Sequence, residues 1–443
     1  MAGHTVGRPS QRERRKSALT IIALLLCIGA PNLTRASAPK PNELQWKQSI
    51  ERPNRGWDYD GKRILGHIGY DICLWDAETG KLLQRMKGHK ERIHTVQFSP
   101  DGNHALSSSW IGPGETGLIS RDTRVILWNL GTGRERDSFP GQVAGEFSPD
   151  GRRIVAFSQR PGTGKPSPAM GNATIPLTGE VWQRGPEARF DAAIWDTFTG
   201  RQLVKAKLDE YSGPRADTLH FSLDGRSFAH VVFGAFTLYN RSGGVIFDTS
   251  DGREIGRVTG EEMRFGGGHR YTSNGALASF EPKRARLIDL KSGRTVRSIP
   301  HNLKHIWGTV WTHDGSKFAA IPFGGDQTTI CDMESGKKMT GAKTYPKLSP
   351  DRAIVSPDNR RLAIESGHNH NGEEDDPEVR LYNMNTGEEI ATIKLAKWGH
   401  MLGFSPDSKT LLVGGSEFAI CDSENGKMIR TLRLLDNLDS HDW

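Results

Sequence analysis

The chain has 443 residues, 35% of them hydrophobic and 25% charged, which is enough apolar content for a packed core and too much for wholesale disorder. Its 51 glycines and 23 prolines disfavour helix bundles and coiled coils and predict turn-rich β structure. A formal charge of +7 points to nucleic acid or an anionic membrane only if the charge sits on the folded part of the chain.

The first segment answers that question. Arg8, Arg12, Arg14, Arg15 and Lys16 precede an uncharged, mostly apolar run from Ala18 to Ala30, and Ala36-Ser37-Ala38 follows. A basic start, a short apolar run and a small-residue end make up the pattern of an export signal. The run is too short for the roughly 20 residues of a spanning helix. Residues 1–38 are therefore expected to be a signal peptide, with an uncleaved membrane anchor as the alternative. Pro39 would hinder cleavage there, and Arg14-Arg15 only partly resembles a twin-arginine signal. Leu26 before Cys27 is too large for a lipoprotein site. The expected location is periplasmic or secreted, with no membrane insertion of the mature chain. Loss of six basic residues and one acid leaves 53 basic and 51 acidic side chains, a net of +2, and removes the case for a nucleic-acid partner. Cys73, Cys331 and Cys421 remain, an odd and sparse set that excludes a disulfide framework.

Residues 39–436 are dominated by a repeat, and residues 437–443 form a short tail. Trp75-Asp76-Ala77-Glu78-Thr79-Gly80-Lys81 sets a seven-residue frame that starts again at Trp128, Trp195, Phe247, Ile288, Cys331, Tyr382 and Cys421. The spacings of 53, 67, 52, 41, 43, 51 and 39 residues include several in the range of a four-stranded propeller blade, and the longer ones require insertions. A second turn precedes each copy, clearest at Phe98-Ser99-Pro100-Asp101-Gly102 and Phe147-Ser148-Pro149-Asp150-Gly151. Proline presets φ, aspartate can bond its own backbone and glycine accepts the left-handed conformation, so both turns read as hairpins. Segments such as Thr123 to Trp128, Arg152 to Phe157 and Thr410 to Val413 are rich in apolar and β-branched residues and read as the intervening strands.

These residues resemble the WD-repeat β-propeller family over roughly residues 44 to 435. The resemblance implies an all-β ring of four-stranded blades, which hides most sheet edges. The second unit is the fullest match: Gly88-His89, Ser108, Asp122 and Trp128 fall on the family's Gly-His, serine, aspartate and tryptophan positions, with Asn129 replacing the following aspartate. In the family those four side chains form a structural hydrogen-bonded network within a blade. The other units lose the set, and several replace the tryptophan by Phe247, Ile288, Cys331, Tyr382 or Cys421. Eight copies of both turns favour eight blades. Leu44 to Ile50 reads as one further strand, which either covers an edge or means that one degenerate unit is not a full blade, leaving seven as the alternative.

The extra residues fall at 109–121, 159–190 and 366–378, each between the second and third strands of its unit, so the insertions are expected on one face. Long loops in compact domains are commonly functional or disordered. Trp110, Arg121, Trp182, Arg189, Phe190, His368 and His370 are the candidate binding residues there, set against simple packing over the ring. His368 and His370 join Glu373, Glu374, Asp375 and Asp376 in the third insertion. Their spacing matches neither an EF-hand nor a zinc motif, so a solvated acidic loop is expected and no metal site is assigned. The three cysteines lack cationic neighbours in sequence and are expected to act as small core hydrophobes.

No Walker loop, dinucleotide-binding glycine pattern or His-Glu-x-x-His is present. The Asp-x-x-Thr-Gly-Lys turn also resembles that of the quinoprotein dehydrogenases, but the following segments lack their docking tryptophan. The expectation is a monomeric, non-enzymatic scaffold that needs no cofactor and binds a protein or peptide through the inserted loops. The alternative is an exported propeller enzyme acting on a small molecule or sugar at the central channel.

Overall fold

The computed structural model describes residues 56–109, 123–160, 173–174, 181–182, 189–208, 219–232, 243–259, 269–303, 306–322, 327–343, 348–366, 377–395 and 399–434, with short breaks at 223, 273–275, 282, 290–291, 293 and 415–416. The expected signal segment, the strand at Leu44 to Ile50 and the tail at 437–443 lie outside the described residues. Every regular element described is a strand.

Thirty-two of these strands form eight four-stranded sheets. Each sheet is antiparallel and follows chain order, so a blade is one continuous segment: 58–87, 93–140, 142–208, 219–259, 269–300, 306–343, 348–394 and 400–432. All eight repeats are complete blades, which sets aside the seven-blade alternative. First strands of neighbouring blades approach one another, placing them nearest the axis. Fourth strands are the most exposed, as in Thr295–Pro300.

Each blade turns at the places the sequence indicates. Gly80, Gly133, Gly200, Gly252, Gly336, Gly387 and Gly426 have φ between 66° and 78°, the left-handed region that the second hairpin requires. The frame aspartate closes that hairpin: Asp196 Oδ1 accepts from Phe198 N at 3.0 Å, Thr199 N at 2.7 Å and Thr199 Oγ1 at 2.8 Å. Seven blades also share a β-bulge one step into the fourth strand, where Leu83, Arg136, Leu203, Ile255, Val296, Ile390 and Ile429 have no residue opposite. Blade 6 displaces its bulge to Gly341.

The core lies between blades. Seven apolar clusters each join two successive blades, for example Leu106, Val125, Leu127 and Phe139 of blade 2 with Phe147, Ile154 and Ala156 of blade 3. The hairpins between first and second strands touch around the ring. Arg63 Nη2 donates to Gly102 O at 2.7 Å, His313 N to Asn359 Oδ1 at 2.7 Å and Asp358 N to Ser408 Oγ at 3.0 Å, while Gly61 packs on Pro406. Asn359 and Ser408 adopt φ of 62° and 63° where glycine is the easy choice, and their side chains are what reach the neighbouring turn. The ring closes between blades 8 and 1 without a shared strand. Tyr59, Trp75 and Ile64 of blade 1 pack with Leu402, Leu412, Phe418 and Leu432 of blade 8.

The blade 2 network differs from expectation in one member. Trp128 Nε1 donates to Ser107 Oγ at 2.7 Å, and Ser107 Oγ lies 2.6 Å from His89 Nε2. Ser107, not Ser108, is therefore the linking residue. Alternate side chains of a strand face opposite sides, and Ser108 turns the other way to bond Thr95. Asp122 lies outside the described residues. Gly88 belongs to the same arrangement, because a Cβ there would come within 2.7 Å of the Trp128 ring.

Candidate functional site

The contacting hairpins define one face of the ring, so connections between second and third strands leave from the opposite face. The long connections do so: Ser109 to Arg124 in blade 2, Arg160 to Arg189 in blade 3 and Ser366 to Glu378 in blade 7. The one-face expectation thus holds for the insertion roots, with a refinement. Blades 2 and 3 are neighbours, while blade 7 lies across the ring from blade 3, so the insertion roots fall on opposite sides of the ring.

The blade 3 insertion is shorter than the sequence boundaries suggest. Its second and third strands run to eight residues each, and Gln159, Arg160, Arg189 and Phe190 belong to the ladder, with Arg160 opposite Arg189. Between them, Ala173–Thr174 pairs with Val181–Trp182 as a separate ribbon. Trp182 is on that ribbon, while Arg189 and Phe190 are at the ladder's end. Trp110, Arg121, His368 and His370 lie outside the described residues.

At the foot of the blade 3 insertion, Asp191 is 2% exposed and pairs with Lys205 Nζ at 3.0 Å. At the foot of the blade 7 insertion, Glu365 is fully withdrawn from solvent. One of its oxygens meets His400 Nδ1 at 3.0 Å and the other accepts from Met401 N at 2.7 Å. The pair joins blade 7 to the first strand of blade 8 and fixes the orientation of a partly exposed imidazole near the axis. Thirty-five residues separate its members, and no local sequence pattern marks it. Asp58 acts similarly between blades 1 and 2, where its Oδ2 accepts from Phe98 N at 2.7 Å. Such buried carboxylates satisfy backbone donors on strands whose inner edge has no ladder partner.

A different feature marks the hairpin face. Phe198 is 84% exposed at a turn position occupied elsewhere by Glu78, Gly131, Ser250, Lys291, Glu334, Asn385 and Glu424. Arg136 holds it, donating to Phe198 O at 2.7 Å with the guanidinium 5.8 Å from the ring centroid.

Burial lowers His89 to about 3 and also lowers His67, with Arg124 and Arg92 respectively adding repulsion. Neutral His89 can accept at Nε2 from Ser107, leaving its proton on Nδ1. Cys73, Cys331 and Cys421 are buried outside any disulfide. Burial pushes Cys331 and Cys421 up to about 11, which makes them packing residues and poor nucleophiles. Among the described residues no group of three His, Cys, Asp or Glu side chains is arranged to hold a metal ion, and no helix is long and apolar enough to cross a membrane.

No family model matches the chain. Segments are similar to curated WD-repeat proteins. Eukaryotic translation initiation factor 3 subunit I of Emericella nidulans is 40% identical over 57 residues, 12% of this chain and 17% of that protein. WD repeat-containing protein 18 of Danio rerio is 25% identical over 130 residues, 28% of this chain and 26% of that protein. Periodic tryptophan protein 2 of Saccharomyces cerevisiae is 25% identical over 167 residues, covering 35% and 15%. The chain thus spans about a quarter or less of the length of these relatives. A crystal structure of a eukaryotic initiation factor superposes with a TM-score of 0.52 at 16% identity, covering 86% of this chain and 88% of that one, a likeness of fold alone.

Proposed function

From an eight-bladed WD-repeat β-propeller, we propose a non-enzymatic binding scaffold that takes a protein or peptide partner at the face carrying the insertions. The observation that carries this reading is where the three long connections are rooted: on one face of the ring, in blades 2 and 3 and in blade 7 across from them. The segmental likeness to WD-repeat proteins such as WD repeat-containing protein 18 supports it. The partner binds outside the cytoplasm, because residues 1–38 act as an export signal and leave a monomeric mature chain of nearly balanced charge.

The test removes residues 161–188. Arg160 and Arg189 stand opposite each other in the ladder, so a two-residue Asn-Gly hairpin can rejoin them. The expected outcome is an unchanged melting temperature with at least about tenfold weaker capture of the partner from the extracytoplasmic fraction, the loss that follows removal of an anchoring residue. Equal capture by the deleted and intact proteins would count decisively against this face.

A further inference from the structure

The connection from blade 1 to blade 2 concentrates charge. Lys87-Gly88-His89-Lys90-Glu91-Arg92-Ile93-His94 sets three lysine or arginine side chains against one glutamate, a net of +2, which equals the net charge of the whole chain beyond residue 38. The segment leaves the fourth strand of blade 1 at Lys87 and enters the first strand of blade 2 at Ile93. It therefore lies on the insertion face, because the hairpins of both blades turn at the other. Lys87, Lys90, Arg92 and His94 are exposed, while Glu91 is half-buried. The ion pairs in blade 1, Arg63 with Asp60 and Arg85 with Asp71, leave out Lys90 and Arg92. Asp71, opposite Lys87 in the ladder, is bonded by Arg85.

His67 forms the floor of this rim. The second strand of blade 1 packs beside the first strand of blade 2, and His67 stands near the end of that second strand, opposite Ile72. Its Nδ1 is buried without a hydrogen-bond partner. Burial, then repulsion by Arg92 and His94, holds His67 below the ordinary imidazole value, and burial, Arg124 and His67 do the same to His89. Every described charged group acting on the two rings is thus a base. Positive potential over a partly desolvated floor attracts an opposite charge more strongly than the same cations in open water would. Tyr70, in the two-residue turn that begins at Gly69, adds an aromatic side chain 55% exposed on the same face.

We infer that the partner docks an acidic peptide segment on the rim between blades 1 and 2, with its carboxylates on Lys90 and Arg92 and an apolar side chain on Tyr70. This rests on the insertion face being the binding face, and adds the chemistry of what is bound there. Arginine and tyrosine are the side chains that most often anchor an interface, and complementary charge at a rim sets specificity and the rate of encounter. A nucleic acid spreads its charge along a track of phosphates, whereas these cations occupy one eight-residue connection.

Fluorescence anisotropy of the full chain tests this with a labelled peptide of ten glutamates ending in phenylalanine. The comparison probes are the same peptide with serine for glutamate and a ten-nucleotide oligothymidylate. The glutamate peptide is expected to bind at least about tenfold more tightly than either at low ionic strength, and more weakly as salt shortens the screening length. Reversal of both charges, Lys90→Glu with Arg92→Glu, should weaken it by about tenfold, and Tyr70→Ala by a few-fold. Lys337→Glu, exposed on the hairpin face, should change nothing. In hydrogen exchange of the unsubstituted chain, the glutamate peptide should slow amides in 67–72 and 88–95 and leave 294–300 unchanged. Equal binding of the two peptides, equal or tighter binding of oligothymidylate, indifference to the double reversal, or slowing confined to other segments would each overturn the inference. If removal of 161–188 abolishes partner capture while the double reversal has no effect on the glutamate peptide, the face stands and the acidic assignment fails. If the peptide is lost on reversal while capture survives the deletion, the acidic rim stands and the insertions are not the contact. Should the doubly reversed chain not fold, the exchange footprint on the unsubstituted chain decides.

Discussion

At Ser107 a single hydroxyl decides whether two buried polar groups are satisfied. It accepts from the Trp128 indole and contacts His89, both withdrawn from water. Ser107→Ala leaves an indole N–H and an imidazole nitrogen buried without partners, at about 1–3 kcal/mol each. A total loss of about 2–6 kcal/mol in urea unfolding is expected. Trp75, in the same repeat position, instead finds its acceptor in the Leu434 carbonyl. In other blades Cys331, Cys421 and Ile288 remove the polar group from that position. The repeat tolerates these changes because an apolar side chain needs only volume, whereas an indole also needs an acceptor.

At the scale of the strand, the bulge residue separates two environments only one position apart. Leu83, Leu203, Ile255, Val296 and Ile429 are exposed by 40–60% because nothing stands opposite them in the ladder. The next residue in blade 3, Val204, is 8% exposed and packs on Gly252 of blade 4. Leu203→Ser is therefore expected to change stability by no more than about 0.5 kcal/mol, as surface changes usually do. Val204→Ala should cost about 2 kcal/mol from lost burial and residual cavity. Thermal unfolding of the two variants, with equal effects as the contrary result, checks the distinction. The bulge also twists the outermost strand, which discourages edge-to-edge pairing between rings.

For the molecule as a whole, acid sensitivity follows from histidines buried as neutral groups. His67, His89 and His301 are all held below the ordinary imidazole value, chiefly by burial. In the unfolded chain each takes up a proton near pH 6.5, while folded His89 resists until about pH 3. The unfolded state thus binds more protons over that interval, and stability falls as pH drops from about 6.5. Full stability is expected above that pH, with a loss of up to about 1.4 kcal/mol per pH unit for each histidine that titrates only on unfolding. Urea titrations between pH 7 and 4 should show this decline, and His89→Gln should flatten part of it. The turn carboxylates, such as Asp332 with its backbone and Ser335 bonds, are held below their usual value and add a further loss at lower pH.

The all-β class, the repeat and both hairpins of each blade were legible along the chain, because glycine, proline and aspartate act through local backbone preferences. So were the three insertions, since they lengthen an otherwise regular spacing. Which units are full blades, how blade 8 packs on blade 1, and that the insertion roots fall on opposite sides of the ring came from the packed structure. The same holds for Ser107 over Ser108 and for the Glu365–His400 pair. Each of those depends on which strand face meets which neighbour, or on residues far apart in the chain, and side-chain register and ring closure are properties of packed blades.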